Sequence, residues 1–148
     1  PGRRLALLPA AAGGRCVVRV EIYTWGYQGR QVAALEEIVR REGIDLVVDV
    51  RGNPYSRRPG WRKEQLEEVF ADRYRWIGWL GNENYRDGGP PRLRDPHRGM
   101  EVLVGVIDGG ARRVLLLCYE RDWLKCHRRM VVEMAQERLS DVQVRHLE

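Results

Sequence analysis

The segment LLLCYERDWLKCHRRMVVEMAQ brings Cys118, Cys126, His127 and Arg128 into a short stretch of chain. A leucine-rich run ends at Cys118, a polar loop follows, and a helix is expected from His127 to Leu139. Cys126 then lies where the first helical N–H groups have no partner within the helix. The helix dipole and the cations of His127, Arg128 and Arg129 favour a thiolate over a thiol, and the thiolate is the nucleophilic form. The same N-terminus suits a phosphate. Cys126 is therefore a candidate nucleophile or anion-site residue, His127 a candidate acid/base, and Arg128 a group to neutralise charge. Other readings stay open. Cys118 beside leucines also fits a small buried hydrophobe. A metal site built from Cys118, Cys126 and His127 lacks a Cys-x-x-Cys spacing and an obvious fourth ligand, so no metal or other cofactor is assigned.

A second constellation is VDVRGNPYSRRPGW. Asp49 and Arg51 leave the end of an aliphatic run, and Ser56, Arg57 and Arg58 follow. Asp49 is a candidate to orient a partner or accept a proton. Arg51 and Ser56, with Cys118, Glu120 and Arg128, are candidate substrate contacts. A cation at the mouth of a buried sheet needs a partner. Arginines also alternate with aromatics from Tyr55 through Arg94, and rings beside cations are what single-stranded nucleic acid asks of a surface. Trp76 and Trp79, read as lying in a strand, are expected to pack instead.

The elements that must carry these groups alternate. Val17 to Trp25 reads as a strand, Val32 to Val39 as a helix stopped by Gly43, and Ile44 to Val50 as a strand covered on both faces. A short amphipathic helix from Arg62 to Ala71 and a strand from Tyr74 to Leu80 come next. Gly81 to Arg98 is dense in Gly and Pro and reads as a long irregular loop. A helix from Gly99 to Ile107, a strand from Arg113 to Tyr119, the helix after Cys126 and a strand from Val142 to Leu147 complete the pattern. Strands separated by helices predict an α/β fold, a three-layer sandwich on a mostly parallel sheet of about five strands. Ligands in such sheets sit beyond the carboxyl ends of the strands, where strand order reverses. Gly26 to Arg30, Asp49 to Arg58, Gly81 to Arg98 and Cys118 to Arg128 are the segments so placed.

Composition bounds the rest. The chain has 148 residues, of which 43% are hydrophobic and 32% charged, as in an ordinary globular domain. Residues 1–16 read as a flexible leader ahead of a single domain spanning 17–148, since Pro9 breaks the short apolar run that would otherwise mimic a secretory signal. No stretch approaches the roughly 18 apolar residues of a spanning helix, so no membrane partner is expected. Three cysteines in a chain that needs no stapling suit a reducing, cytoplasmic setting. The formal net charge is +5, and Lys63 and Lys125 are the only lysines. An arginine excess suits an anionic ligand or nucleic acid, and arginine-rich codon usage gives the same count. There is no GxxxxGK[ST], GxGxxG, HExxH or GxSxG, which disfavours P-loop, dinucleotide-binding, zincin and serine-hydrolase chemistry.

Taken together, YTWG after the first strand, Asp49, Arg51, Pro54 and Ser56, Leu80-Gly81, and Cys118, Glu120, Cys126, His127 and Arg128 resemble the DUF488 family of uncharacterised proteins over about Ile22 to Leu147. The resemblance implies an intracellular α/β domain and carries no established activity. Gly26-Tyr27-Gln28 stands where the family commonly has Gly-His-Ser, and Asn82 where it often has a second glycine. Two functional readings follow. One is an enzyme acting on a phosphate-bearing or nucleic-acid substrate through a Cys-His-Arg site at a helix N-terminus; the other is a non-catalytic nucleic-acid-binding module using arginines and aromatics.

Overall fold

A computed structural model describes residues 19–148 and, outside that range, the backbone of Leu8–Pro9 and Cys16–Val17, which pair antiparallel. The rest of the expected leader lies outside the described residues. Five strands form one sheet: β1 (Arg19–Gly26), β2 (Leu46–Asp49), β3 (Tyr74–Trp76), β4 (Arg113–Cys118) and β5 (Asp141–His146). Their order is β3-β2-β4-β1-β5, and every pairing is parallel. The α/β reading holds, and the sheet is entirely parallel.

Both faces are apolar because both are covered, and period-two alternation sorts the side chains between them. On one face Ile22, Val48, Val114 and Leu116 pack with Met100, Leu103 and Ile107 of α3 (Pro96–Asp108) and Val131, Val132 and Ala135 of α4 (Arg128–Arg138). On the other, Tyr23, Trp25, Val47, Leu115 and Leu117 pack with Leu35, Ile38 and Val39 of α1 (Val32–Glu42) and Leu66 and Phe70 of α2 (Lys63–Phe70). The helices follow from local signals. Gly43 ends α1 in the left-handed conformation, φ 67°, which glycine adopts without a Cβ clash. Asp95 accepts the Arg98 N–H and Pro96 supplies the first turn of α3, a cap and a preset φ together.

Connectivity fixes where a ligand belongs. The helices after β1 and β2 cover one face, and those after β3 and β4 cover the other. Strand β4 lies between β1 and β2, so its carboxyl end is the point where the winding reverses. Cys118 is the last residue of that strand.

Two elements depart from expectation. Strand β3 stops at Trp76 and a 3-10 turn, Gly78–Leu80, replaces its second half. Trp79 is consequently 39% exposed, with the Arg98 guanidinium over its ring, and does not join the core. Helix α3 starts three residues before Gly99 because Asp95-Pro96 is a helix start as well as a loop signal.

Glycines seat the loops around the strand ends. A methyl on Gly26 would overlap the Glu120 carbonyl, and one on Gly81 would overlap the Gly52 backbone. Gly26→Ala is expected to destabilise the protein by about 1–3 kcal/mol, as overpacking does, and to displace the Glu120 loop. Chemical denaturation measures the first; unchanged stability would mean that the contact gives way freely.

Candidate functional site

A cleft of about 810 Å³ opens at the carboxyl end of the sheet. Tyr27 enters it from the end of β1, Arg51 from the end of β2, Asn82 to Asp87 from the loop after β3, and Cys118 to Glu120 from the end of β4. His127, at the start of α4, also lines it. The two constellations read from the sequence therefore meet in one hollow, and the bond that joins them is explicit. His127 Nε2 lies 2.6 Å from the Val50 carbonyl oxygen. A carbonyl only accepts, so Nε2 carries the proton and Nδ1 is left with its lone pair. That lone pair faces Cys126 Sγ at 3.7 Å. Burial pushes the His127 pKa below its ordinary value, which keeps the ring neutral.

Cys126 is buried, and its sulfur accepts the Arg128 N–H at 3.4 Å, the helix N-terminus favouring a sulfur that carries negative charge. Cys118, also buried, has its sulfur at bonding distance from that of Cys126, as in a disulfide, where the sequence suggested free thiols, and 3.6 Å from Glu120 Oε1. Of the two sulfurs, Cys118 borders the cleft and Cys126 lies behind it. One ligating atom from each of Cys118, Glu120, Cys126 and His127 lies within 4.8 Å of the others. Glu120 joins this group because the turn after β4 folds it back over Cys118.

Asp49 and Arg51 serve the cleft as a unit. Arg51 Nε donates to Asp49 Oδ1 at 2.8 Å and Nη2 to Oδ2 at 2.6 Å, and the Arg51 backbone N–H also reaches Oδ1. The Tyr74 hydroxyl donates to Oδ2. Burial raises the Tyr74 pKa, and the Asp49 charge raises it further. For Arg51 burial pulls down, but the hydrogen bonds and charge of Asp49 win, so its pKa rises. Asp49 is fully enclosed and is a positioning residue: it holds Arg51, which faces the cleft and lies over the Tyr27 ring. Arg51 thus finds the partner it needed two residues back in the chain.

Arg128 does not line the cleft. Its Nη2 donates to the carbonyls of Glu120 and Arg121 at 2.9 and 3.4 Å, tying down the loop that carries Glu120, and burial lowers its pKa to about 10. Ser56 borders the cleft and its Oγ accepts the Arg58 N–H. Of the arginines and rings that interleave along the sequence, Tyr55, Tyr85, Arg57, Arg58, Arg86 and Arg94 border the cleft, and Tyr119 joins them.

A family model, described as Domain of unknown function DUF488, matches residues 31–135. The chain belongs to the DUF488 family. The match spans β2, the cleft loops after β2, β3 and β4 and most of α4, so every site residue expected from the sequence is inside this DUF488 domain, while Tyr27 lies just ahead of it. No curated protein matches the chain. No helix among the described residues is long and apolar enough to cross a membrane.

Removing Asp49 leaves Arg51 buried without its partner. Asp49→Ala is expected to cost about 3–5 kcal/mol in urea unfolding; a loss under about 0.5 kcal/mol would show that the pair does not hold the β2 end. His127 gives a pH signature. An unfolded imidazole protonates near pH ~6.5 while the buried one resists, so the unfolded state binds more protons and stability falls as pH drops below ~6.5. His146, also lowered by burial, adds to the same slope. Long-range nitrogen-proton NMR should find His127 as the Nε2–H tautomer at neutral pH, and the opposite tautomer would contradict the Val50 bond.

Proposed function

We propose that this DUF488 protein is an enzyme acting on a phosphate-bearing nucleotide unit, free or within single-stranded nucleic acid. The observation that carries the reading is the lining of one cleft: cations and tyrosine rings stand around a floor of Cys118, Glu120 and His127. Among the described residues, Arg57, Arg58, Arg86 and Arg94 take part in no ion pair. Unpaired guanidinium forks suit phosphate oxygens. Tyr55 and Tyr85 are exposed at the rim, where each presents a face on which a base stacks. Arg51 and Tyr27 lie deeper, between the rim and the floor.

The floor supplies the chemistry. His127 offers a neutral lone pair at Nδ1, Glu120 a carboxylate able to carry a proton, and Cys118 a sulfur facing the bound ligand. Asp49 and Arg128 act at one remove, the first by fixing Arg51 and the second by bracing the Glu120 loop. The second reading, binding without turnover, is favoured by the exposed pair Tyr55 and Tyr85, which stacking alone would explain.

A fluorescent single-stranded oligonucleotide provides the test. Binding should weaken with added salt, and the log–log slope should fall by about 0.7 for each phosphate that is no longer neutralised, so R57A/R58A should flatten it by about 1.4. Tyr85→Ala should weaken binding by about fivefold or more, as removal of one stacking ring does. Incubating the protein with a nucleotide mixture and following masses should reveal a converted species that Cys118→Ala no longer produces although its oligonucleotide binding persists. Binding that ignores both salt and the arginine variants would overturn the proposal; binding without any converted species would favour the non-catalytic module.

A further inference from the structure

The floor of the cleft holds donors that the binding reading does not need. Cys118, Cys126 and His127 are 1%, 3% and 6% exposed, and with Glu120 they present two sulfurs, an imidazole nitrogen and a carboxylate within 4.8 Å of one another. We propose that Cys118, Cys126 and His127, with Glu120 as the fourth donor on the cleft side, form a binding site for a divalent cation of the zinc class.

Three features support metal over a simple cysteine pair. The first is backbone spacing. The Cα atoms of the two cysteines are 7.8 Å apart, beyond the roughly 4.4–6.8 Å over which a disulfide ordinarily joins two cysteines. Once the pair is reduced, a cation held between the separated sulfurs suits the wider spacing. The second is the orientation of His127. A metal-ligating histidine ordinarily donates its other ring N–H to a carbonyl or carboxylate, and here Nε2–H goes to Val50 while Nδ1 faces Cys126. The third is the donor set itself. Two sulfurs, one imidazole and one carboxylate suit zinc or cobalt, whereas magnesium and calcium take oxygen. The Arg128 N–H on Cys126 Sγ stabilises the thiolate that ligation requires. Binding converts two thiols to thiolates and releases their protons to solvent.

Exposure separates the roles of the donors. The three buried donors close the inner side, while Glu120 is half-buried and lines the cleft. Glu120 is therefore the exchangeable donor, the one a substrate oxygen or a water would replace. The proposal deepens the reading above, because it puts the cation where a nucleotide held by the rim would reach it. Uptake is measured without any nucleotide, so the two fail independently.

The test uses the reduced full-length protein, stripped with a chelator and titrated with cobalt(II). One equivalent should bind and give a thiolate-to-cobalt charge-transfer band with the intense visible bands of tetrahedral cobalt. Zinc should displace it. Cys126→Ser and His127→Ala should each lower affinity at least tenfold, and circular dichroism of the stripped variants establishes that they fold. Glu120→Gln should keep the metal and shift the visible bands. No cobalt uptake by the reduced, folded protein would overturn the site, as would uptake unchanged in Cys126→Ser. An oligonucleotide bound as tightly by the stripped protein as by the loaded one leaves the rim reading intact.

Discussion

The hydrogen bond from His127 Nε2 to the Val50 carbonyl holds the candidate site together. It joins the start of the last helix to the end of the second strand, segments 77 residues apart in the chain. A buried ring nitrogen without a partner carries a penalty of roughly 1–3 kcal/mol, so the imidazole is locked in one orientation and one tautomer. Everything aimed at Nδ1 inherits that orientation. Were the ring free to turn, Cys126 would face a proton half of the time, and the sulfur pair behind the cleft would lose its polar neighbour.

A second constraint lies on the opposite side of the sheet end. Asp49, Arg51 and Tyr74 enclose a charge pair in surroundings that ordinarily disfavour charge, and the pair persists because nearly every donor and acceptor around the carboxylate is satisfied. Such a network contributes little net stability against an apolar replacement. What it supplies is placement. The Arg51 guanidinium cannot swing out to solvent without leaving Asp49 bare, so the cation stays over Tyr27 at the inner wall of the cleft. One face of the sheet thus fixes a charge, the other fixes the sulfurs, and both open onto a single hollow.

Much of this was legible in the sequence, for identifiable reasons. The aliphatic run before Asp49 and the leucines before Cys118 announce strands covered on both faces, and alternation with helices gives the layers. The segments expected at the ligand edge are those that line the cleft. Less legible were features that depend on contacts through space. Nothing in the local pattern distinguishes Trp79 from a strand residue; the ladder ends with the Ile77 N–H on the Asp49 carbonyl, and the Leu80 and Gly81 N–H groups then bond back to the Ile77 and Gly78 carbonyls in a 3-10 turn. Arg128 reads as a cation for the ligand, yet its guanidinium faces the carbonyls of the preceding loop. Glu120 reads as a substrate contact, and its contact with the Cys118 sulfur depends on the turn after β4. Asp95-Pro96 starts a helix, but it sits at the end of a run of glycines and prolines that reads as loop throughout.

The close approach of Gly26 to the Glu120 carbonyl has a mechanical consequence. With no gap between the first strand and the loop after the fourth, the two pack as one inner wall of the cleft. The outer lip is lined by Tyr55, Arg57, Arg58, Tyr85 and Arg86. The wall at the base is therefore braced by backbone contact, whereas the lip above it consists of residues far more exposed.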